Sequence, residues 1–283
     1  MNDITKARRI LEAKFAQHYC HVSDIDKCPN KECTCRVAAE IKAYINTVIS
    51  EPFSHLTLDD FTGRDGDKQL IPDEIALKVK RDILSYCWKD VKLNDLVGIN
   101  KLNTFVLDSR SIMDARRENG DNVIIYANSE KILIGQKSQR KGKTFVASLI
   151  MREAIKRRAF PDHHGDTYDW IPFGSLVDKL KQLSMGNKDV SLSDVQYCDW
   201  LVVDDIRGDF ALSAKGQNYI SSLLDPFFFE RMQDSLPTIL VFKFDIMQPS
   251  MNLEQSFGVA INKIIHDPKT CIISLCDYSY DHR

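Results

Sequence analysis

The sequence predicts a doubly wound α/β fold, a parallel sheet with helices on both faces. Three observations predict it. Short apolar runs recur after residue 121, among them NVIIYA (122–127), WLVVDD (200–205) and TILVFK (238–243). These runs are apolar almost throughout rather than alternating, the pattern of strands buried on both faces. Segments of helical periodicity separate them, as strand–helix–strand crossovers require.

The elements are read in chain order. Residues 4–19 have Ile10, Leu11 and Phe15 at helical spacing, and residues 36–50 return to that periodicity until Pro52 breaks it. HLTLDDFTGRDGDK (55–68) is turn-rich and reads as a linker. Residues 71–90 predict a helix opened by Pro72-Asp73-Glu74, a proline and two acids suited to a first turn. Residues 91–121 carry no readable period. The strand candidates are then 122–127, KILIG (131–135), YDWIPF (168–173), 200–205, 238–243 and CIISLC (271–276); the helix candidates are 143–157, 174–184, 214–232 and 252–265. This divides the chain into an N-terminal cysteine-rich module (1–50), a linker and helical lead-in (51–115), and the α/β domain (116–283).

Composition narrows the function classes. The chain has 283 residues and a net charge of −2, so a chain-wide nucleic-acid footprint is excluded and any such surface is a local patch. No apolar stretch follows MNDITKARRI and no run of 18 apolar residues occurs, so neither a secretory signal nor a membrane span is expected. The expected compartment is cytoplasmic, with no membrane partner.

GQKSQRKGKTFVASL (135–149) carries the chemistry. A full phosphate loop reads G-x-x-x-x-G-K-[ST]. Gly142, Lys143 and Thr144 satisfy its end, but Lys137 stands where the first glycine belongs. Lys137, Ser138, Gln139, Arg140 and Lys141 would form the loop. KILIG would supply the strand before it and KTFVASLIMREAIKRR the helix after it, whose free N–H groups and positive dipole end face an anion. Lys143 would reach the β- and γ-phosphates of ATP or ADP, and Thr144 would hold Mg²⁺ through its hydroxyl. The competing reading is an ordinary basic turn. REAIKRR is the other dense basic stretch, and Arg157 and Arg158 read as a solvated helix face.

YCDWLVVDDI (197–206) supplies the matching half. Four apolar residues run into Asp204-Asp205, so two carboxylates stand at the carboxyl edge of the sheet, where open α/β sheets bind ligands. Asp204 would orient Mg²⁺ through water, and Asp205 would polarise an attacking water as general base.

CDWLVVDDIRGDF and LLDPFFFERMQDSLPTILVFKFDI together resemble the AAA+ ATPases that load the replicative helicase in bacteria, the DnaC/DnaI type, and the related IstB-type transposition ATPases. The resemblance covers about residues 55–283. It implies a P-loop AAA+ ATPase that binds ATP·Mg²⁺, single-stranded DNA and a hexameric replicative helicase. Arg231 matches the position of an arginine finger acting on a neighbouring subunit's nucleotide, which implies self-association. Lys243 stands where the family has a polar side chain that senses the γ-phosphate. Arg207 stands where a glycine is usual, and the late helix offers Lys263 instead of an arginine. These departures, with Lys137, leave two alternatives open: a degenerate P-loop adaptor without ATP turnover, and an IstB-like transposition ATPase.

Cys20, Cys28, Cys33 and Cys35 follow the spacing C-x₇-C-x₄-C-x-C, with His18 and His21 beside them. Four thiolates close a tetrahedral Zn²⁺ site, and an iron–sulfur cluster also takes four. The DnaI-type resemblance implies that such a module docks on the helicase. Cys87, Cys198, Cys271 and Cys276 sit among apolar neighbours and read as small buried hydrophobes.

Overall fold

The computed structural model describes residues 34–51, 53–55, 58–62, 64–65, 68–69, 71–87, 107–127, 142–159, 163–208, 214–247 and 252–276. The described residues begin with helices α1 (Thr34–Val48) and α2 (Asp73–Cys87), between which β1 (Arg64–Asp65) and β2 (Lys68–Gln69) form a short antiparallel ladder. Helix α3 (Leu107–Asn119) follows. Then come β3 (Val123–Tyr126), α4 (Lys143–Ile155), β4 (Tyr168–Pro172), α5 (Phe173–Ser184), α6 (Ser193–Gln196) and β5 (Trp200–Ile206). The chain continues through α7 (Ala214–Gln233), β6 (Thr238–Phe242), α8 (Leu253–Phe257), α9 (Val259–His266) and β7 (Cys271–Ser274).

The last five strands form one sheet in the order β4-β5-β6-β3-β7, and every pair is parallel. The crossovers run from β3 out to β4, back through β5 and β6, and then over β3 to β7. Strand β3, which leads to α4, therefore lies inside the sheet at the point where the winding reverses. Crevices at such reversals, on the carboxyl side, are where doubly wound sheets take ligands. This is the doubly wound α/β arrangement that the apolar runs predict.

Alternate side chains on each strand go to opposite faces. Val123, Ile125, Val202, Ile239, Val241 and Ile273 pack into one core with α1, α2 and α4. Ile124, Leu201, Val203, Leu240 and Phe242 pack into another with α5, α7, α8 and α9. Both faces are covered, which is why these strands read as continuous apolar runs. Ile41 and Ile45 of α1, Ile49 just after it, Leu58 and Phe61 of the expected linker, and Val79 and Ile83 of α2 all share the first core. The described part of the lead-in is thus packed onto the α/β layer rather than strung before it.

Two differences from the sequence expectations have physical causes. Helix α3 occupies the stretch without a readable period. Among its described side chains only Met113 is buried, and the helix is held instead by charge: Arg116 pairs with Asp121 at 2.7 Å, Arg117 with Asp199 at 2.9 Å, and Asp114 with Arg157 at 2.6 Å. The helix expected over 252–265 is broken into α8 and α9 at Gly258. That residue has φ 98°, and a Cβ there would lie 2.3 Å from Asp225 Oδ1, which accepts the Ala260 N–H at 2.8 Å. NVIIYA forms β3 as expected; KILIG, like the expected helix 4–19, lies outside the described residues. Among the described residues no helix is long and apolar enough to cross a membrane.

Candidate nucleotide site

The site is assembled from the amino end of α4 and the carboxyl ends of β5 and β6. Gly142 is the N-cap of α4, with φ 81° and ψ 13°, a left-handed conformation that glycine adopts without strain. Its carbonyl accepts the Val146 N–H at 2.9 Å, the first bond of the helix. A Cβ at this position would lie 3.0 Å from the Phe61 ring, which itself packs 5.5 Å from the Phe145 ring. The linker stretch LDDF thus closes over the start of the helix and fixes where its first turn points. Lys143 and Thr144 occupy that turn and are half-buried.

Across the crevice, β5 ends in Asp204 and Asp205. Asp204 stands opposite Pro172 of β4, and its carboxylate accepts a hydrogen bond from the Thr144 hydroxyl. It also accepts the Asp205 N–H at 2.7 Å. Strand β5 then slips against β6: Val203 pairs with Leu240, but the next pair is Ile206 with Phe242. The two acids therefore sit in a β-bulge, a device that re-aims side chains at the ends of strands. Asp205 takes φ 66° within it, a conformation uncommon for any residue but glycine.

The bulge turns Asp205 into a double ion pair. Arg207 Nε and Nη2 both donate to its Oδ2, at 3.0 and 2.7 Å, and Lys243 Nζ meets its Oδ1. Lys243 is held in place by its neighbours. Phe242 and Phe244 are buried and pack on Phe257, with Phe244 stacked on it at 5.8 Å, so the lysine between them projects outward.

These surroundings push the adjacent carboxyls apart. Burial raises the Asp204 pKa, against the Asp205 N–H and the Thr144 hydroxyl, which lower it. Burial also acts upward on Asp205, but Arg207 and Lys243 outweigh it and hold its pKa below the usual carboxylate range. Divergent environments of this kind mark sites where two acids have different duties. The oxygens of Thr144 and Asp204 are hard donors with the chemistry of an Mg²⁺ site, and they meet beside a helix amino end suited to phosphate.

The structure brings together Gly142, Lys143, Thr144, Asp204, Asp205 and Lys243. Lys137, Ser138, Gln139, Arg140 and Lys141 lie outside the described residues, as do Cys20, Cys28 and Cys33; Cys35 falls in α1, its side chain undescribed. Among the described residues there is no cluster of three or more metal-binding side chains. Cys87, Cys198 and Cys276 are buried and Cys271 is partly buried, and burial pushes the Cys198 and Cys271 thiols up to about 11.

Two arginines depart from expectation. Arg231 is 1% exposed and lies at the amino end of the sheet, away from the acids. Its Nε donates to Thr238 Oγ1 at 3.0 Å, its Nη1 to the carbonyls of Val195, Gln196 and Cys198, and its Nη2 to the carbonyl of Pro237 at 2.8 Å. A guanidinium so enclosed clamps α6, α7 and the starts of β5 and β6 together; it is not a finger presented to a neighbouring subunit. Arg157 is likewise buried rather than solvated, paired with Asp114 at 2.6 Å and Asp166 at 3.3 Å, while Arg158 lies over the Tyr44 ring at 4.2 Å. Lys263 sits over the Phe229 ring at 4.9 Å. The clamp of Arg207 on Asp205 leaves no signal in the sequence beyond an arginine two residues after the acid.

No family model matches the chain, and no curated protein matches it. Among solved structures the chain is similar to the DnaC helicase loader, with 15% identity and a TM-score of 0.44, over 79% of this chain and 99% of that one. It is also similar to DnaI, with 20% identity and a TM-score of 0.38, over 69% of this chain and 93% of that one.

Proposed function

We propose that the chain binds ATP·Mg²⁺ in this crevice and uses it as a switch in loading a replicative DNA helicase. One observation carries the nucleotide site: the Thr144 hydroxyl on the Asp204 carboxylate, joining the first turn of α4 to the acidic end of β5. In this reading the α4 amino end and Lys143 hold the phosphates, while Thr144 and Asp204 hold Mg²⁺. The cation would neutralise phosphate charge. Gly142 sets the direction of the first turn, and the bulge sets where the acids stand.

The loading role rests on the sequence resemblance around CDWLVVDDIRGDF and the strand after Pro237. Single-stranded DNA and a hexameric helicase are then the partners, and Cys20, Cys28, Cys33 and Cys35 would hold a structural Zn²⁺ in a helicase-docking module. The test is helicase loading onto circular single-stranded DNA by the full chain. Loading that depends on ATP and fails with Lys143→Ala supports the proposal; co-purification with a transposase instead of a helicase favours the transposition role.

A second reading has its own observation. Asp205, the expected general base, has both oxygens engaged by Arg207 and Lys243, and its acidity is raised rather than reduced. A carboxylate so held is a poor proton acceptor. In this reading the site binds nucleotide without turning it over, and phosphate release above background would contradict it.

A further inference from the structure

Six large apolar side chains are exposed among the described residues, and four of them gather on three adjoining helices. Leu183 and Met185 stand at the carboxyl end of α5, Tyr219 on α7 and Val259 at the start of α9. Helix α7 packs against α5, α8 and α9. The Tyr219 hydroxyl lies 3.2 Å from Ser184 Oγ of α5, and the residue is 41% exposed. Gly186, at φ 79°, closes α5: its N–H donates to the Leu183 carbonyl at 2.9 Å, and the Asn187 N–H donates to the Gln182 carbonyl at 3.0 Å. Met185, 77% exposed, is presented on that closed turn. Asn218, next to Tyr219, belongs to a cavity of about 390 Å³ where α7 meets α8 and α9. Asp225 and Glu254 line it with the amides of Asn218, Asn252 and Gln255, and Val259 forms part of its wall. Asp225 Oδ1 accepts the Ala260 N–H at 2.8 Å and Glu254 Oε2 accepts from Asn262 Nδ2 at 3.3 Å, so neither acid spends its second oxygen on a described donor. Among the described residues no basic side chain lines the cavity.

Single apolar side chains scattered over a surface are ordinary, but a contiguous group of them marks a docking face. The charge beside this group says what docks. Two carboxylates repel a phosphate backbone and an anionic membrane surface, and they attract a cationic side chain. We propose that this face holds an amphipathic segment of a partner protein. Its apolar side chains cover Leu183, Met185 and Tyr219, and one arginine enters the cavity between Asp225 and Glu254. Methionine and tyrosine are residue types that interfaces favour, the first because it adapts its shape and the second because it is rigid with a polar tip. Arginine suits the cavity because its planar fork of N–H donors serves carboxylate and amide oxygens together, whereas lysine offers a single ammonium. The apolar contacts supply affinity, and the arginine fixes the position and direction of the segment. Nothing in this docking requires that the crevice between α4 and β5 bind nucleotide.

The test is fluorescence anisotropy of a labelled helical peptide, with leucines along one face and a single arginine, titrated with the full-length chain. A second peptide has glutamine in place of the arginine. Wild type should bind the arginine peptide about tenfold more tightly than the glutamine peptide. Glu254→Gln should weaken the arginine peptide about tenfold and leave the glutamine peptide unchanged, a coupling that general stickiness does not produce. If Glu254→Gln does not fold, Asp225→Asn, which keeps an acceptor for the Ala260 N–H, should show the same selective loss. Met185→Glu should weaken both peptides, while Leu77→Glu, at an exposed apolar residue of α2, should weaken neither. No binding to wild type, or a Glu254→Gln effect that is equal for the two peptides, overturns the proposal. So does a wild type that self-associates in sedimentation and is dispersed by Met185→Glu, which would give the face to a second copy of the chain.

Discussion

The Thr144 hydroxyl hydrogen-bonds the Asp204 carboxylate, tying the first turn of α4 to the carboxyl end of β5. Burial holds the Asp204 pKa up at the same time, so the charged form is tolerated rather than favoured in the free protein. Removing that charge should stabilise the chain. Asp204→Asn keeps an acceptor for the Asp205 N–H and should raise the melting temperature at pH 7 by about 2 °C, while abolishing any extra stabilisation by ATP with Mg²⁺ over ATP alone. Thermal unfolding with and without nucleotide checks both.

The same pair of acids predicts a pH dependence of defined sign. For Asp204, raised in the fold, the favourable contribution is present below its unfolded value of about 3.9 and is lost as pH rises through the folded value. The advantage of Asp204→Asn over wild type should therefore grow as pH rises from 4 to 7. For Asp205, depressed in the fold, the contribution is present above the unfolded value and is lost as pH falls through the folded one. Asp205→Asn should cost stability at pH 7 and progressively less in strong acid. Urea unfolding at a series of pH values reads both slopes.

Gly142 combines φ 81° with the Phe61 ring 3.0 Å from a would-be Cβ. Gly142→Ala should destabilise the chain by about 1–2 kcal/mol, from the left-handed conformation and the contact together. Phe61→Leu in the same background should recover only the steric part. Double-mutant unfolding separates the two.

Arg231 should behave as a clamp. Arg231→Lys keeps the charge, but a single ammonium cannot span Thr238, Pro237 and the carbonyls around Cys198. A loss of about 3 kcal/mol in unfolding free energy is expected. Nucleotide affinity of the folded fraction should stay within twofold, and mixing with wild-type subunits should restore nothing.

How much of this was legible follows from where the controlling contacts come from. The inner strands β3, β5 and β6 could be read because burial on both faces makes them continuously apolar, and Asp204 because an acid ending such a strand has nowhere else to be. Helix α3 could not be read: it is held through Asp114, Arg116 and Arg117 rather than an apolar stripe. Arg231 and Arg157 show the same limit. A basic residue near a helix end looks alike in sequence whether it faces solvent or folds inward. Its direction is decided by acceptors elsewhere in the chain, such as the carbonyls of Val195 and Gln196 for Arg231 and the carboxylate of Asp114 for Arg157. Gly258 was visible as a residue but not as a break, because the carboxylate that requires it belongs to Asp225 on α7.

Equilibrium binding of a fluorescent ATP analogue to the full-length chain is the decisive test of a nucleotide–Mg²⁺ site in the crevice between α4 and β5. Titrations would compare Mg²⁺ with a chelator, in wild type, Lys143→Ala and Thr144→Ala. Wild type should bind saturably and more tightly with Mg²⁺, Lys143→Ala at least tenfold more weakly, and Thr144→Ala without the Mg²⁺ effect. Wild type that fails to bind, or a Lys143→Ala variant that binds as tightly as wild type, would contradict such a site.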